Sequence, residues 1–211
     1  YQRRVRGIMR IVVQRVKSAS VSFEEQKNEI QQGLCILVGI REDDFDLDVD
    51  YAISKILNMR LWDDGSKTWA KSVMDIGGEV LLISQFTLYG YMKGNKPDFH
   101  YAMKTEDSRE MYNKMLAQMK KQWPKTQGGY FGEYMTVNIV NDGPCTIVLD
   151  TREELRVEGE QGMSKIGGIK AFKAYEKQLK TKQDKIEKQK QVDTTENTKE
   201  YSTPKIDNID K

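Results

Sequence analysis

Gly33-Leu34-Cys35-Ile36-Leu37-Val38-Gly39-Ile40 is an unbroken apolar run bounded by glycines. A run of this length without polar alternation marks a strand buried on both faces. Glu79 to Phe86 is a second strongly apolar strand, and it finishes in polar residues. Between the two, residues 43–60 read as a helix. Asp43, Asp44, Asp46 and Asp48 favour its positive N-terminus, and Val49, Ala52, Ile53, Ile56 and Leu57 form a stripe that packs on a sheet.

Upstream, Met9 to Val16 is rich in β-branched residues, and Ser18 to Phe23 alternates polar and apolar. Downstream, Leu61-Trp62 and the Asp63-Asp64-Gly65 turn predict a hairpin that returns through Thr68-Trp69. Tyr89 to Tyr101 reads as a loop. A second helix is expected from Thr105, taken as its N-cap, to Trp123, with Pro124 as the stop and Met111, Tyr112, Met115, Leu116 and Met119 as the buried face. Tyr134 to Val140 and Cys145 to Leu149 close the pattern as strands around Asn141-Asp142-Gly143-Pro144. The order of strands, helix, strands, helix, strands predicts one compact α/β domain of roughly 140 residues, a common domain size.

The 211 residues are 38% hydrophobic and 31% charged, with a net charge of +2, so some segment should be solvated. Residues 151–211 carry that character. Lys165 to Lys190 holds nine lysines and a net charge of +6, with a basic amphipathic helix expected near Lys170 to Lys190 and disorder beyond Gln191. Residues 1–8 are expected to be an upstream extension or an artificial remnant ahead of Met9. Cys35 and Cys145 both sit in apolar runs, without a CxxC, and one histidine builds no zinc site with them. Two buried thiols, with no apolar run near ~20 residues, point to the cytosol and away from a membrane.

Chemistry-bearing residues are few. Ser84-Gln85-Phe86-Thr87 ends a buried strand, a common position for functional side chains, but a hydroxyl nucleophile needs a base. His100, beside Asp98, is the single histidine, and a Ser84/His100/Asp98 triad is weakly supported by spacing alone. Gly94 to Phe99 is either a phosphate cradle with Lys96 or an ordinary surface loop, and it lacks the Walker pattern. Phe131, Tyr134 and Met135 line a pocket or simply pack. Asn141 to Thr146 is a plain turn or a cis Gly-Pro device.

Together these pieces resemble the D-aminoacyl-tRNA deacylases. The resemblance rests on Gln14-Arg15-Val16, Asn58-Met59-Arg60-Leu61, Ser84-Gln85-Phe86-Thr87-Leu88, Gly94-Asn95-Lys96-Pro97-Asp98-Phe99, Phe131-Gly132-x-Tyr134-Met135 and Asn141-Asp142-Gly143-Pro144-x-Thr146. These motifs are collinear and span residues 9–150. The resemblance implies mostly antiparallel sheets layered with two main helices. It also implies hydrolysis of the ester between a D-amino acid (or glycine) and tRNA, without cofactor or metal.

By the same resemblance, Ser84, Gln85, Phe86 and Thr87 lie around the terminal adenosine and the scissile ester, with Phe99 and Met135 contributing to substrate binding. Gly143-Pro144, as a cis pair in a homodimer, enters the partner's active site and rejects L substrates by clash. Arg15 braces that loop, and the tRNA 2′-OH assists the chemistry. Cys145 departs from the family, which usually has Val there, but it is small and apolar enough to preserve packing. Residues 151–211 lie outside the resemblance. They leave open a nucleic-acid-binding protein that acts through its basic tail.

Overall fold

The computed structural model describes residues 9–151 together with Lys177 and Thr181. Its organising strand is β1 (Arg10–Phe23), which joins into one element the two β-like stretches around Lys17. The chain turns at Glu24-Glu25 and returns as β2 (Gln26–Ile30) and β3 (Gly33–Gly39). Both pair antiparallel with β1 in one continuous register, from Phe23↔Gln26 to Arg10↔Gly39.

Beyond β3 the sheet becomes parallel. Helix α1 (Asp46–Asn58) leads to β4 (Glu79–Ser84), which lies parallel to β3. Helix α2 (Thr105–Gln122) leads to the short β7 (Thr126–Gly128), parallel to β4. Between β4 and α2, β5 (Tyr91–Lys93) and β6 (Lys96–Asp98) form a separate hairpin, so the expected loop is a two-stranded ribbon. Finally β8 (Thr136–Asp150) runs antiparallel along the other side of β1.

The apolar run of β3 is buried on both faces, as its sequence demands. Leu34, Ile36 and Val38 meet the helices, whereas Cys35 meets a second cluster with Leu81 and Ile83. That second face is covered by β1 itself. Ile11 and Val13 belong to the helix side, while Val16, Ala19 and Val21 belong to the other; the change of face coincides with register shifts around Val16. The outer half of β1 and β2 thus lies over the sheet, and Asn28 Nδ2 donates to the Gly128 carbonyl at 2.8 Å. Strands β3 and β4 approach closely at Gly33, where an added Cβ would stand 1.8 Å from the Glu79 carbonyl oxygen.

Two buried polar links fix the layers. Tyr112 on α2 donates its hydroxyl to the Leu82 carbonyl at 2.8 Å and accepts from the Gly129 amide at 3.1 Å. Burial pushes this phenol up to about 12. Thr151 Oγ1 donates to Asp48 Oδ1 at 2.7 Å, both residues being fully buried, which ties the end of β8 to α1.

Local chemistry corrects several boundaries. Asp43 and Asp44 precede α1: Asp44 Oδ2 accepts from the Arg41 amide at 2.6 Å, and Asp48 Oδ2 accepts from the Phe45 amide at 3.2 Å. The hairpin after Leu61 closes by a single bridge, Trp62↔Lys71, rather than at Thr68-Trp69. Asp63 and Asp64 take up the backbone amides of Trp69, Ser66 and Lys67 instead, which keeps those residues out of a ladder. Lys104, not Thr105, occupies the N-cap of α2, and Ser108 joins its buried face. Of the tail, Lys177 and Thr181 are helical, with Thr181 Oγ1 donating to the Lys177 carbonyl at 2.9 Å. The rest of the expected amphipathic helix, the expected disorder and residues 1–8 lie outside the described residues. No helix among the described residues is long and apolar enough to cross a membrane.

Candidate active site

A cleft of about 380 Å³ opens where β4 ends. The ends of β3 and β4 supply Val38, Ile40 and Ser84, after which the chain breaks into a 3-10 turn, Phe86–Tyr89. Gln85 makes that transition: its amide still donates to the Val38 carbonyl at 2.7 Å, and its carbonyl accepts from Leu88 at 3.3 Å. Ser84, Gln85 and Phe86 therefore reach the cleft, as does Phe99, which meets Phe86 edge-on at 5.1 Å between ring centroids. Phe86 is 58% exposed, leaving an aromatic surface at the mouth.

The opposite wall comes from the first turn of α2 and the loop after β7, through Lys104, Thr105, Ser108, Phe131 and Gly132. Arg109 holds this loop, with its guanidinium 4.8 Å from the Phe131 ring centroid and Nη1 donating to the Phe131 carbonyl at 3.2 Å. Phe131 both packs, against Tyr112 at 5.5 Å, and lines the cleft. Lys104, Thr105 and Ser108 were missed as site residues by sequence reasoning, which took Thr105 only as a cap. The available signal was the helix start immediately after the Asp98-Phe99 motif.

Other expected residues stand elsewhere. Thr87 is exposed beside the cleft, with its Oγ1 accepting from Gln85 Nε2 at 2.6 Å. Met135 packs against the second core cluster, and its sulfur accepts from the Tyr130 amide at 3.1 Å. Tyr134 is 98% exposed. His100 Nδ1 lies 2.7 Å from Asp98 Oδ1 and 2.9 Å from the Tyr91 hydroxyl. The His100 amide, followed by its ring, holds the Asp98 carboxyl below its ordinary value. No hydrogen bond joins His100 to Ser84 among the described residues, so the Ser/His/Asp triad is not assembled.

Gly143 and Pro144 lie on the far edge of the sheet. The Gly143-Pro144 peptide is cis, and both residues are exposed. Gln14 pairs with Thr146 and Val16 with Asn141, so four residues of β8 face Arg15 alone and must bulge outward. Arg15 fills the base of the bulge. Its Nε donates to the Asp142 carbonyl at 3.1 Å and lies 3.2 Å from Asp142 Oδ2, while Nη1 donates to the Leu61 carbonyl. Three strand intervals separate β8 from β4, about 14 Å at the usual spacing. Within one chain the bulge and the cleft are separate features.

The family profile described as D-Tyr-tRNA(Tyr) deacylase matches residues 12–150. The chain belongs to the D-aminoacyl-tRNA deacylase family. Its members are hydrolases that act on an ester bond. A D-aminoacyl-tRNA deacylase of Drosophila melanogaster is 47% identical over 155 residues, covering 72% of this chain and 98% of that protein. The D-aminoacyl-tRNA deacylase 1 of Homo sapiens is 41% identical over 201 residues, covering 93% and 90%, so that similarity extends past residue 151.

Among solved structures, the c-Myc DNA Unwinding Element Binding Protein superposes with a TM-score of 0.63 at 46% identity, covering 67% of this chain and 97% of that one. A probable eukaryotic D-amino acid tRNA deacylase superposes with a TM-score of 0.61 at 12% identity, covering 68% and 99%; at that identity the likeness speaks for the deacylase fold alone.

Proposed function

We propose that this protein hydrolyses the ester of D-aminoacyl-tRNA, and of glycyl-tRNA, releasing the amino acid and tRNA in the cytoplasm. The observation that carries the reading is the exposed Gly143-Pro144 bulge on Arg15, set apart from a cleft that gathers Ser84, Gln85, Phe86 and Phe99. Two copies of the chain complete one another: the bulge of one enters the cleft of the other. An open β8 edge supports this arrangement, with Val140 53% and Val148 60% exposed along it.

In the assembled site, the Gly143 and Pro144 carbonyl region receives the substrate α-ammonium through charge-assisted hydrogen bonds. A D side chain, or the hydrogen of glycine, then points to solvent, and an L side chain meets rigid backbone. Phe86 and Phe99 hold the terminal adenosine, Met135 supports the adjacent loop, and backbone amides after Ser84 stabilise the oxyanion. Neither Ser84 nor Thr87 has a hydrogen-bonded imidazole or carboxylate among the described residues. That supports a reaction in which the tRNA 2′-OH assists ester cleavage and the protein supplies position.

The deciding experiment compares hydrolysis of D- and L-tyrosyl-tRNA by the full chain. Loss of the D ester alone is expected; equal hydrolysis of both, or of neither, removes the proposal. A second reading, nucleic-acid binding through the basic tail, is favoured by the +6 charge of residues 165–190. It predicts salt-sensitive binding that disappears when residues 165–190 are neutralised.

A further inference from the structure

The ribbon β5–β6 carries side chains that neither the core nor the cleft uses. Tyr91 pairs with Asp98 and Lys93 with Lys96, so alternation puts all four on one face of the ribbon. Lys93 and Lys96 are exposed and directly opposed, a like-charge pairing that costs the ribbon stability. The fold keeps this pair at the tip of a surface element.

The same ribbon leads into a turn at the cleft. The Ala102 amide donates to the Phe99 carbonyl at 2.9 Å, closing a four-residue turn whose ends, Phe99 and Ala102, line the cleft. Its two central residues, His100 and Tyr101, are exposed outside. Their rings are 4.2 Å apart between centroids, and Tyr91 lies 5.2 Å from His100 and 5.3 Å from Tyr101. The Arg41 guanidinium sits 5.1 Å from the Tyr101 ring, brought there by the Arg41↔Ala102 bridge. Asp98 is held by the His100 ring, which also meets the Tyr91 hydroxyl, and Asp43 by Arg41. A braced aromatic cluster, Tyr101 being 45% exposed, thus follows Phe99 in the chain and lies against the ribbon that carries the two opposed lysines.

Clustered planar rings beside a pair of exposed cations suit an unpaired polynucleotide, whose bases stack on the rings and whose phosphates meet the lysines. We propose that the β5–β6 ribbon and the His100-Tyr101 turn dock the single-stranded nucleotides that precede the one held in the cleft. The inference rests on the deacylase reading for the identity of that strand. Its chemistry, stacking plus a phosphate between Lys93 and Lys96, rests on the ribbon alone. A phosphate there relieves the repulsion of the paired lysines, so binding and ribbon geometry reinforce each other.

The test measures binding of a fluorescein-labelled single-stranded ACCA tetranucleotide RNA to the full chain by anisotropy. Tyr101→Leu keeps apolar bulk but removes a ring, and should weaken binding about tenfold, within the range of one stacked base. Lys93→Gln with Lys96→Gln should weaken it and flatten its salt dependence. Unchanged affinity in both variants overturns the proposal, as does a change in oligomeric state, which would assign the strip to contacts between copies. A second readout separates this idea from the deacylase reading. Tyr101→Leu should raise KM for D-tyrosyl-tRNA about tenfold more than KM for D-tyrosyl-adenosine, which ends inside the cleft. Equal losses on the two substrates overturn the docking role. Absence of any hydrolysis by the unaltered chain removes the deacylase reading, and the anisotropy result then decides the strip by itself.

Discussion

Arg15 and Asp142 meet twice across the bulge of β8: the guanidinium Nε donates to the Asp142 carbonyl at 3.1 Å and lies 3.2 Å from its carboxylate. One β1 side chain thereby anchors Asp142, the first of the four bulged residues, to the strand it leaves. Arg15→Ala leaves the Leu61 and Asp142 carbonyls without this donor. The unfolding free energy should fall by about 2 kcal/mol, the scale of charged hydrogen bonds in a half-buried site. Urea titration checks the stability, and the ratio of D- to L-ester hydrolysis, expected to fall, checks the positioning. An unchanged ratio would show the brace is structural only.

Gly143 has φ of +125°, and an added Cβ would stand 2.9 Å from the Cys145 amide nitrogen and 3.3 Å from Arg15 Nη2. Gly143→Ala cannot keep this backbone. Because the bulge is exposed, the core should survive, and strain of about 1–3 kcal/mol should displace the loop instead. Circular dichroism should remain native while the ratio of D- to L-ester hydrolysis drops at least as far as in Arg15→Ala. Full activity in this variant would remove the bulge from the site.

Thr87→Ala separates nucleophile from bystander. Removing an acid–base or nucleophilic group costs on the order of 10²-fold or more. Thr87 receives a 2.6 Å hydrogen bond from Gln85 and shows no base, so kcat should change by less than about threefold. A folded, substrate-binding but inactive Thr87→Ala would overturn the RNA-assisted mechanism. His100→Ala should likewise retain chemistry on the short adenosine ester, since its ring engages Asp98 and Tyr91.

The two thiols should differ in accessibility, Cys35 being buried and Cys145 only partly so. Burial pushes Cys35 up to about 12, and it is fully enclosed in the second core cluster. At pH 8 roughly one molecule in ten thousand carries that thiolate, whereas Cys145 is partly exposed on the bulge strand. Ellman's reagent should label at most one cysteine in the native protein and two after denaturation. Raising the pH to 9 should not recruit Cys35, because its thiolate fraction stays small well below 12.

Much of the architecture was legible because it depends on local patterns. The glycine-bounded run at Gly33–Ile40 required a strand enclosed on both sides, and the Val49–Leu57 stripe required a helix against it. The Ser84-Gln85-Phe86 stretch announced its position at a strand end, and the cleft is found there. The collinear motifs pointed to the family that the comparison then showed.

Less local features were not legible. Sequence spacing cannot report that Lys104 and Ser108 face Ser84, because three elements must pack before those side chains share a cleft. Nor can it show Met135 turned into the core, or hydrogen bonds from Asp63 and Asp64 diverting the Leu61 hairpin into a single bridge. By itself the sequence determined the elements, their periodicity and the motifs at their ends, since those follow from side-chain alternation and backbone preference. Only the tertiary structure decided that β1 serves both faces of the sheet, that Arg15 stands against a four-residue bulge, and that this bulge lies three strands from the cleft, because register and layer packing join residues far apart in the chain.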